Sequence, residues 1–247
     1  MILPIFLYHH VVNKNVPSDL VPFVVEQESF RWQMDLLEEA GYSAVTLYDL
    51  FISDDWDKKV ILTFDDCPRN LLDFAIPYLE QKKWKAVFFP PVGFIGGFNE
   101  WNVRKGKTKV ELMTADEIRN LSDAGHEVGG HSVNHVHLNE CGLMTVKYEL
   151  RESKKQLEEI TGKHVTSFAY PYGHYPRNYR EVMQEAGYTY AVSMYSKFLS
   201  PLNDPYCIRR TVVDTNETVN SFKWKLTALY NYLRIVPDWF VLKKDGL

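Results

Sequence analysis

The chain has 247 residues, of which 45% are hydrophobic and 24% are charged, close to the average for a globular protein. Its 28 basic and 32 acidic residues give a formal charge of −4, so the chain lacks the strong positive charge typical of nucleic-acid-binding proteins. Three cysteines are too few for a disulfide scaffold, which favours a reducing compartment. Because there is no basic amino-terminal region and no apolar stretch long enough to cross a bilayer, we expect a single cytoplasmic domain over residues 1–247.

Short apolar runs alternate with segments of helical periodicity along the chain. We predict strands at residues 2–7, 43–46, 60–64, 86–89, 127–129, 168–170, 190–192 and 208–212. We predict helices over about 71–81, 144–161 and 218–231, and three more helices before the motifs described next. The continuous apolar character of most of these strands is typical of parallel strands that are buried on both faces.

One pattern of an acidic residue, Ala, Gly and an aromatic ring occurs three times, at residues 39–42, 123–126 and 185–188. Each copy follows a helical segment and precedes a strand, and its glycine supplies the left-handed residue that ends a helix. Residues 114–117 fit a capping box that opens the second of these helices.

The alternation of about seven or eight strands with helices predicts an α/β fold. A distorted or incomplete (β/α) barrel of about seven strands suits this length, and an open doubly wound sheet is the alternative. We favour the barrel because no Gly-rich phosphate-binding loop follows the first strand.

Polar residues with catalytic chemistry fall at the carboxyl ends of four predicted strands, namely His9, the pair Asp65 and Asp66, His131, and Tyr172. Barrel enzymes build their active sites at this end of the strands. His131 and His135 are four residues apart, which places both imidazoles on one face if the segment is helical. With one carboxylate they would bind a divalent metal ion and leave coordination positions open, as catalysis requires. Of the two aspartates, one would bind the ion and the other would stay unbound as a base.

The motifs around these residues resemble those of the polysaccharide deacetylase family, also called carbohydrate esterase family 4 or the NodB homology domain. Residues 63–66 match its Thr-Phe-Asp-Asp motif, and residues 125–135 match its Gly-His-Glu lead-in to His-Ser-x-x-His. Residues 168–173 resemble its third motif, which is centred on Pro-Tyr-Gly. The opening Leu-Tyr-His-His-Val at residues 7–11 is similar to the Tyr-His-x-Val start of the branch that deacetylates poly-N-acetylglucosamine.

The resemblance implies a metal-dependent amide hydrolysis that removes acetyl groups from an N-acetylated sugar. Asp66, His131 and His135 would hold the metal, most often zinc, and Asp65 would be the base. The backbone N–H of Tyr172 would donate a hydrogen bond to the oxyanion.

The sequence departs from the family pattern at three places. Cys67 stands where the family usually has Gly, either as a small residue in a tight loop or as an extra metal ligand. Ala169 stands where an Arg usually orients the base, so Arg209 or Arg210 would substitute for it, and we assign Arg209 to substrate binding. The late Leu-x-His motif, which supplies the acid in many members, is absent.

The acid that protonates the leaving nitrogen therefore needs another source. We assign this role to His9, which ends the first strand in a context that resembles the branch whose amino-terminal His lies in the active site. His10 should point elsewhere if the strand alternation continues through it, and His174 is the second candidate.

Three other features each have more than one interpretation. His137 either joins the metal site or lies exposed or as a cap, and Trp101 either stacks on a sugar face or anchors its loop. We expect His126 to be a hydrogen-bonded structural residue. From residue 221 onward five basic and two acidic residues accompany several aromatics, which favours a helix packed on the barrel over a segment that approaches a membrane.

We therefore expect an N-deacetylase that acts on an amino-sugar glycan or on a lipid- or nucleotide-linked precursor. A deformylase or another small-amide hydrolase would use the same metal site. A glycan-binding module without catalysis is the alternative from a different class, because the usual Arg is missing. The charge argues against a nucleic-acid partner.

Overall fold

The computed structural model describes residues 3–13, 17–53, 55–196, 198 and 203–245. Within these ranges the strands are β1 (Ile5–Tyr8), β2 (His10–Val12), β3 (Val24–Glu26), β4 (Ser43–Ala44), β5 (Lys59–Asp65), β6 (Val87–Phe89), β7 (Glu127–Val128), β8 (Ser167–Ala169), β9 (Tyr190–Ser193), β10 (Ile208–Arg209) and β11 (Thr211–Val212). The α-helices in the same ranges are α1 (Gln27–Glu39), α2 (Leu47–Ser53), α3 (Ala75–Gln81), α4 (Glu100–Val103), α5 (Ala115–Asp123), α6 (Leu143–Thr161), α7 (Tyr179–Ala186), α8 (Val219–Lys225), α9 (Ala228–Leu233) and α10 (Ile235–Lys244). Strands and helices alternate, which confirms the predicted α/β class.

The strands pair in parallel and form three sheets. The largest has the order β11-β1-β5-β6-β7 with β4 beside β5, the second has the order β10-β9-β8, and β2 pairs with β3. The two larger sheets adjoin at both edges, because Gly130 bridges to Phe168 and residues 208–212 pair with β9 on one side and β1 on the other. The hydrogen bonds do not form one closed ladder, so the predicted barrel of about seven strands is seen as two adjoining sheets.

Alternate strand residues pack into two hydrophobic clusters. The inner cluster takes residues of one parity from six strands: Ile5, Ile61, Val87, Phe89, Ala169, Val192 and Ile208. The outer cluster takes the intervening residues, such as Leu62 and Phe88, and packs them against the helices. Successive side chains of a strand point to opposite faces of the sheet. His9, Asp65 and Arg210 each follow a residue of the inner cluster by an even number of positions, so they share its face at the carboxyl ends of the strands.

The helix ends follow the local sequence signals. α1, α5 and α7 each end one or two residues before the glycine of the repeated pattern, and Gly41, Gly125 and Gly187 have φ values of 82°, 89° and 78°. At the start of α5, the Thr114 side chain accepts the Glu117 N–H and the Glu117 carboxylate accepts the Thr114 N–H. Both the glycine stops and the capping box are confirmed.

Several elements differ from the sequence-based expectation. Residue 2 of the first predicted strand lies outside the described residues. The helix expected over 71–81 begins at Ala75, because residues 69–72 form a 3-10 turn. The helix expected over 218–231 is split into α8 and α9, because Thr227 is extended and its Oγ1 accepts the Tyr230 N–H as the cap of α9. α2, α4 and the β2–β3 pair occupy segments for which the sequence indicates no element, whereas α10 lies in the segment from residue 221 onward for which the sequence favours a helix.

The longest described helix, α6, has 19 residues and packs one face inward, with Val146, Leu150 and Leu157 buried. The remaining positions are largely charged or polar, as in an amphipathic helix on the surface of a protein. Among the described ranges, no helix combines the length and the apolar character that crossing a lipid bilayer needs.

Candidate active site

A cavity of about 220 Å³ opens where the carboxyl ends of β1 and β5 meet the loops that follow β7 and β8. Its polar wall includes His9, Asp65, Asp66, His131, His135 and Tyr172. Its apolar wall includes Leu20, Pro22, Phe23, Met194 and Val212. Residues distant in sequence meet here because parallel strands present their carboxyl ends at one edge of the sheet.

Asp66, His131 and His135 form a cluster in which the candidate ligand atoms all lie within 4.8 Å of one another. The Nε2 atoms of His131 and His135 lie 3.6 and 3.2 Å from Oδ1 of Asp66. Both imidazoles are buried, and the carboxylate is nearly so. One carboxylate and two imidazoles are a ligand set that zinc and related divalent ions accept with positions left open.

The surrounding hydrogen bonds direct lone pairs at the centre of this cluster. His131 Nδ1 donates to the carbonyl oxygen of Ala169 at 2.7 Å, which leaves Nε2 unprotonated and facing Asp66. Burial lowers the pKa of His131 to about 4, so its imidazole is neutral at pH 7. Oδ1 of Asp66 is buried and accepts no hydrogen bond. A divalent cation would satisfy this carboxylate oxygen and the nitrogens beside it, so the residues fit such an ion.

The segment from His131 to His135 is a loop, so the helical arrangement considered from the sequence is wrong. Ser132 and His135 have φ values of 62° and 50°, which an α-helix does not contain. Oγ of Ser132 accepts the His135 N–H at 2.9 Å. The two imidazoles therefore meet across a tight turn and not along a helix face.

Glu149 of α6 supports this loop, and sequence reasoning missed it. Its buried carboxylate accepts the N–H groups of Val133 and Asn134 at 2.8 and 2.9 Å, and the Asn134 side-chain amide at 2.7 Å. These bonds hold the backbone between the two histidines and so fix where both imidazoles point. The available sequence signal is its position, since Glu149 shares the buried face of α6 with Val146 and Leu150.

Asp65 forms a buried bidentate ion pair with Arg210. NH1 and NH2 of the guanidinium donate to Oδ1 and Oδ2 at 2.6 and 2.8 Å, and NH1 also donates to Oγ1 of Thr63 at 3.2 Å. Burial alone raises the pKa of Asp65, but Arg210 and His131 outweigh it, so the pKa lies below its ordinary value. The Asp65 carboxylate is therefore ionised at neutral pH, and its Oδ2 lies 3.9 Å from Nε2 of His131.

Arg209 lies away from the cavity. Its Nε is 2.7 Å from Asp238, and its two amino groups donate to the carbonyl oxygens of Asn231 and Ser196. The physical reason is the pleat: Arg210 has the parity of the inner cluster, so its neighbour faces the carboxyl-terminal helices. This placement contradicts the substrate-binding role predicted for Arg209, and of the two candidates it is Arg210 that reaches Asp65.

Tyr172 lies in the 3-10 turn Pro171–Gly173 that follows β8, and its φ of 60° is unusual for a residue other than glycine. Its ring stacks on His137 with the centroids 3.7 Å apart. Gly173 is needed next, because a Cβ there would lie 2.6 Å from Cβ of Met194. The turn places Tyr172 in the cavity wall, and His137 packs against this ring instead of joining the metal-ligand cluster.

Trp101 of α4 is buried against the candidate metal site. Its indole stacks on the His135 ring with the centroids 4.2 Å apart and an interplanar angle of 18°, and Phe94 packs against it at 5.1 Å. This contact restricts the rotation of the His135 imidazole and anchors α4 beside the cavity. Stacking of Trp101 on a sugar stays a prediction.

His9 lines the cavity beside Asp65 and Asp66. Burial lowers the pKa of His9, while the two carboxylates act in the opposite direction. Its ring meets Phe23 edge-on with the centroids 5.3 Å apart. Register also places His9 next to Asp65, because β1 and β5 pair Tyr8 with Phe64.

The other two candidate acids have partners of their own. His10 also borders the cavity, but its Nδ1 accepts a hydrogen bond from the Asn70 side-chain amide at 3.1 Å. Burial lowers the pKa of His10 to about 4. Nδ1 of His174 lies 2.5 Å from the Asp245 carboxylate, so this imidazole is directed at α10.

Cys67 and His126 both have structural roles. Cys67 has a φ of 53°, and its buried side chain belongs to the outer cluster, not to the metal-ligand cluster. It is therefore the small residue in a tight loop, not an extra ligand. Nδ1 of His126 accepts the Ala86 N–H at 3.1 Å, which confirms the hydrogen-bonded role predicted for it.

The motifs and the geometry place the chain in a known family. Residues 53–191 match the sequence profile of the polysaccharide deacetylases, a range that includes Asp65, Asp66, His131, His135 and Tyr172. This match spans more than half of the chain, which therefore belongs to the polysaccharide deacetylase family. Family membership supports glycan N-deacetylation, a hydrolase activity.

Known proteins of this kind resemble most of the chain. The poly-beta-1,6-N-acetyl-D-glucosamine N-deacetylase of Staphylococcus aureus is 23% identical over 221 residues, which cover 84% of this chain and 72% of that protein. The Streptococcus pyogenes deacetylase PplD, solved with acetate, aligns with a TM-score of 0.77 at 20% identity over 92% of this chain and 99% of its own. IcaB from Ammonifex degensii aligns with a TM-score of 0.72 at 21% identity over 93% of this chain and 97% of its own. The structural likenesses show a shared fold, and the predicted family and branch resemblance are confirmed.

Proposed function

We propose that this protein is a metal-dependent N-deacetylase that removes acetyl groups from an amino-sugar glycan or a glycan precursor. The observation that carries the proposal is the convergence of Asp66, His131 and His135 beside Asp65, an ionised carboxylate that Arg210 holds. The family agrees with this chemistry, and the relative in Staphylococcus aureus is named for action on poly-beta-1,6-N-acetyl-D-glucosamine. The cytoplasmic location and a lipid- or nucleotide-linked substrate stay predictions from the sequence.

Asp66, His131 and His135 would hold the divalent ion, and zinc is the ion for which this ligand set is most typical. When bound, the ion would polarise the amide carbonyl and lower the pKa of a water molecule. Two neutral imidazoles and one carboxylate leave the site with a net positive charge, which favours an oxyanion.

Asp65 is the base in this proposal. Arg210 binds both of its oxygens, which fixes the orientation of the carboxylate and keeps it ionised at neutral pH. It accepts the proton that the attacking water loses. The backbone N–H of Tyr172 donates to the oxyanion, from a turn whose conformation Gly173 makes possible.

His9 is the acid in this proposal. It directly follows β1, next to Asp65 at the end of β5, so the acid and the base reach one reacting amide from neighbouring strands. His9 gives a proton to the leaving nitrogen, which is a poor leaving group until it is protonated. His10 and His174 are directed at Asn70 and Asp245, which supports His9 over both.

The test compares metal content and acetate release for the wild type and the double variant His131→Ala, His135→Ala. The substrates are β-1,6-linked N-acetylglucosamine oligomers, monomeric N-acetylated sugars and their N-formyl analogues. The matched control is His164→Ala, because His164 is exposed and lies outside the cavity. We expect the double variant to lose both bound metal and acetate release, and the control to keep both.

Other outcomes would separate the alternatives. Full metal occupancy in the double variant would refute the ligand assignment. Release of formate without acetate would identify a deformylase. Glycan binding by a wild type that holds no metal and releases no acetate would identify a binding module.

A further inference from the structure

The carboxyl-terminal helices carry an apolar face that nothing in the fold covers. α9 and α10 continue one helical path, since the Arg234 N–H donates to the Tyr230 carbonyl and the Asp238 N–H donates to the Arg234 carbonyl, each at 3.1 Å. Along this path the large exposed apolar side chains are Leu229, Tyr232, Leu233, Val236, Trp239 and Phe240. Their spacing of three and four residues places them on one side of the helical path, and Asp238 and Leu242 are buried on the other.

This face is the main apolar surface of the described chain. Fourteen large hydrophobic side chains are exposed in the described residues, and six of them belong to this one stripe. Tyr232, Val236 and Phe240 are each about 60% exposed, at 61%, 61% and 58%. Scattered exposed apolar residues are normal, but a contiguous stripe marks a contact surface.

Within residues 221–245 the exposed charge has one sign. Lys243 and Lys244 at the end of α10 are exposed, and Lys243 lies 5.0 Å over the Trp239 ring. Lys223 of α8 is also exposed, but it borders a cavity with Asp35 and Glu39. The two acidic residues within 221–245 are Asp238, which is buried against Arg209 and Arg234, and Asp245, which pairs with His174. No acidic side chain is exposed between residues 221 and 245.

We propose that this stripe, flanked by its lysines, docks the protein on the surface of a lipid bilayer that contains anionic lipids. Trp239 and Tyr232 have the amphipathic rings that favour the boundary between headgroups and acyl chains. Lys243 and Lys244 would meet anionic headgroups, which attract basic side chains close to the surface. A second copy of the chain is a poorer occupant, because its matching face offers no exposed carboxylate to these lysines.

The docking face is joined directly to the active-site wall. Asp245 at the end of α10 pairs with His174, which follows the cavity residue Gly173. Oδ2 of Asp238 accepts the Ser196 N–H at 3.2 Å, two residues after the cavity residue Met194. The helices that carry the stripe therefore pack against the loops that hold cavity residues. The docking proposal does not depend on the proposed chemistry.

The test is sedimentation of the full chain with two kinds of vesicle, phosphatidylcholine alone and phosphatidylcholine with an equal amount of phosphatidylglycerol. We expect the wild type to bind the anionic vesicles and to dissociate as the salt concentration rises. Lys243→Gln with Lys244→Gln should weaken binding about five-fold per lysine and about thirty-fold together. Trp239→Ser with Phe240→Ser should weaken it at least about ten-fold, because interfacial binding scales with buried apolar area.

The matched control is Tyr48→Ser with Ile52→Ser, which removes two apolar side chains of similar exposure, one turn apart on α2. This variant should bind vesicles as the wild type does. The proposal is overturned if the wild type does not sediment with anionic vesicles, or if it binds neutral vesicles equally well. It is also overturned if the control variant loses binding as strongly as the stripe variant. Sedimentation equilibrium tests the second copy: a dimer that Trp239→Ser with Phe240→Ser dissociates would identify that occupant and overturn the proposal.

Discussion

Replacing Arg210 by Met should destabilise the protein because it leaves the buried carboxylate of Asp65 without its partner. Arg210 is fully buried, and its guanidinium makes two short bonds to Asp65, at 2.6 and 2.8 Å. Removal of one partner from a buried ion pair costs about 3–5 kcal/mol, because the remaining charge stays out of water without compensation. Arg210→Met should therefore lower the free energy of unfolding by about 3–5 kcal/mol.

A double-mutant cycle separates this pair from the packing of the Met side chain. Asp65→Asn alone leaves the guanidinium unpaired and should also be destabilising. The double variant Asp65→Asn, Arg210→Met contains neither buried charge, so it should recover about 2–3 kcal/mol relative to the sum of the single variants. Urea unfolding of the four proteins in a chelating buffer measures this coupling without a contribution from bound metal.

Arg119→Met is the matched control for this cycle. Arg119 also pairs with a carboxylate, Asp116, but both side chains are exposed, so the loss should be at most about 1 kcal/mol. Additive effects of Asp65→Asn and Arg210→Met, or equal losses at Arg119 and Arg210, would refute the buried pair. If Arg210→Met retains activity, the acid limb of its pH–rate profile should move to higher pH. Loss of the nearby guanidinium raises the pKa of Asp65.

Four further predictions follow from other contacts. Asp65→Asn should keep its metal but lose turnover by a factor of at least about 10², as metal analysis and acetate release would show; loss of metal would exchange the roles of the two aspartates. His9→Ala should fold and hold metal but lose most turnover, and a fully active variant would remove His9 as the acid. Glu149→Ala should weaken metal affinity about 10–100-fold in a chelator competition. Glu149→Gln should rescue part of this loss, because it keeps an oxygen acceptor for the loop. Unchanged affinity would show that the loop keeps its conformation without Glu149. Burial lowers the pKa of His126 to about 4, whereas the pKa is about 6.5 in the unfolded chain. The unfolded chain therefore binds the proton at higher pH than the folded protein does, so the free energy of unfolding falls as the pH drops from about 6.5 to about 4. This loss should reach about 3 kcal/mol relative to His126→Asn, and parallel stability curves for the two proteins would contradict it.

The sequence by itself determines the local features of this protein. The glycines of the repeated pattern end their helices and the box at Thr114 begins one, because such signals act between residues a few positions apart. Strand alternation likewise decides which residues share a face, and it separates the inner cluster from the outer one. The candidate metal ligands Asp66, His131 and His135 can also be predicted from the sequence, because their side-chain types and the motifs around them are local features.

Only the tertiary structure decides which distant residues meet. Asp65 and Arg210 are 145 positions apart, so their pairing depends on which strands adjoin and in what register, which no local pattern contains. Glu149 reaches the loop between the two histidines from another helix, and it compensates for backbone donors that a helix would have satisfied internally. The stripe on α9 and α10 is apolar in sequence whether or not it is covered. Its exposure is decided by packing, because the fold buries Asp238 and Leu242 on the opposite side and leaves Trp239 and Phe240 in contact with solvent.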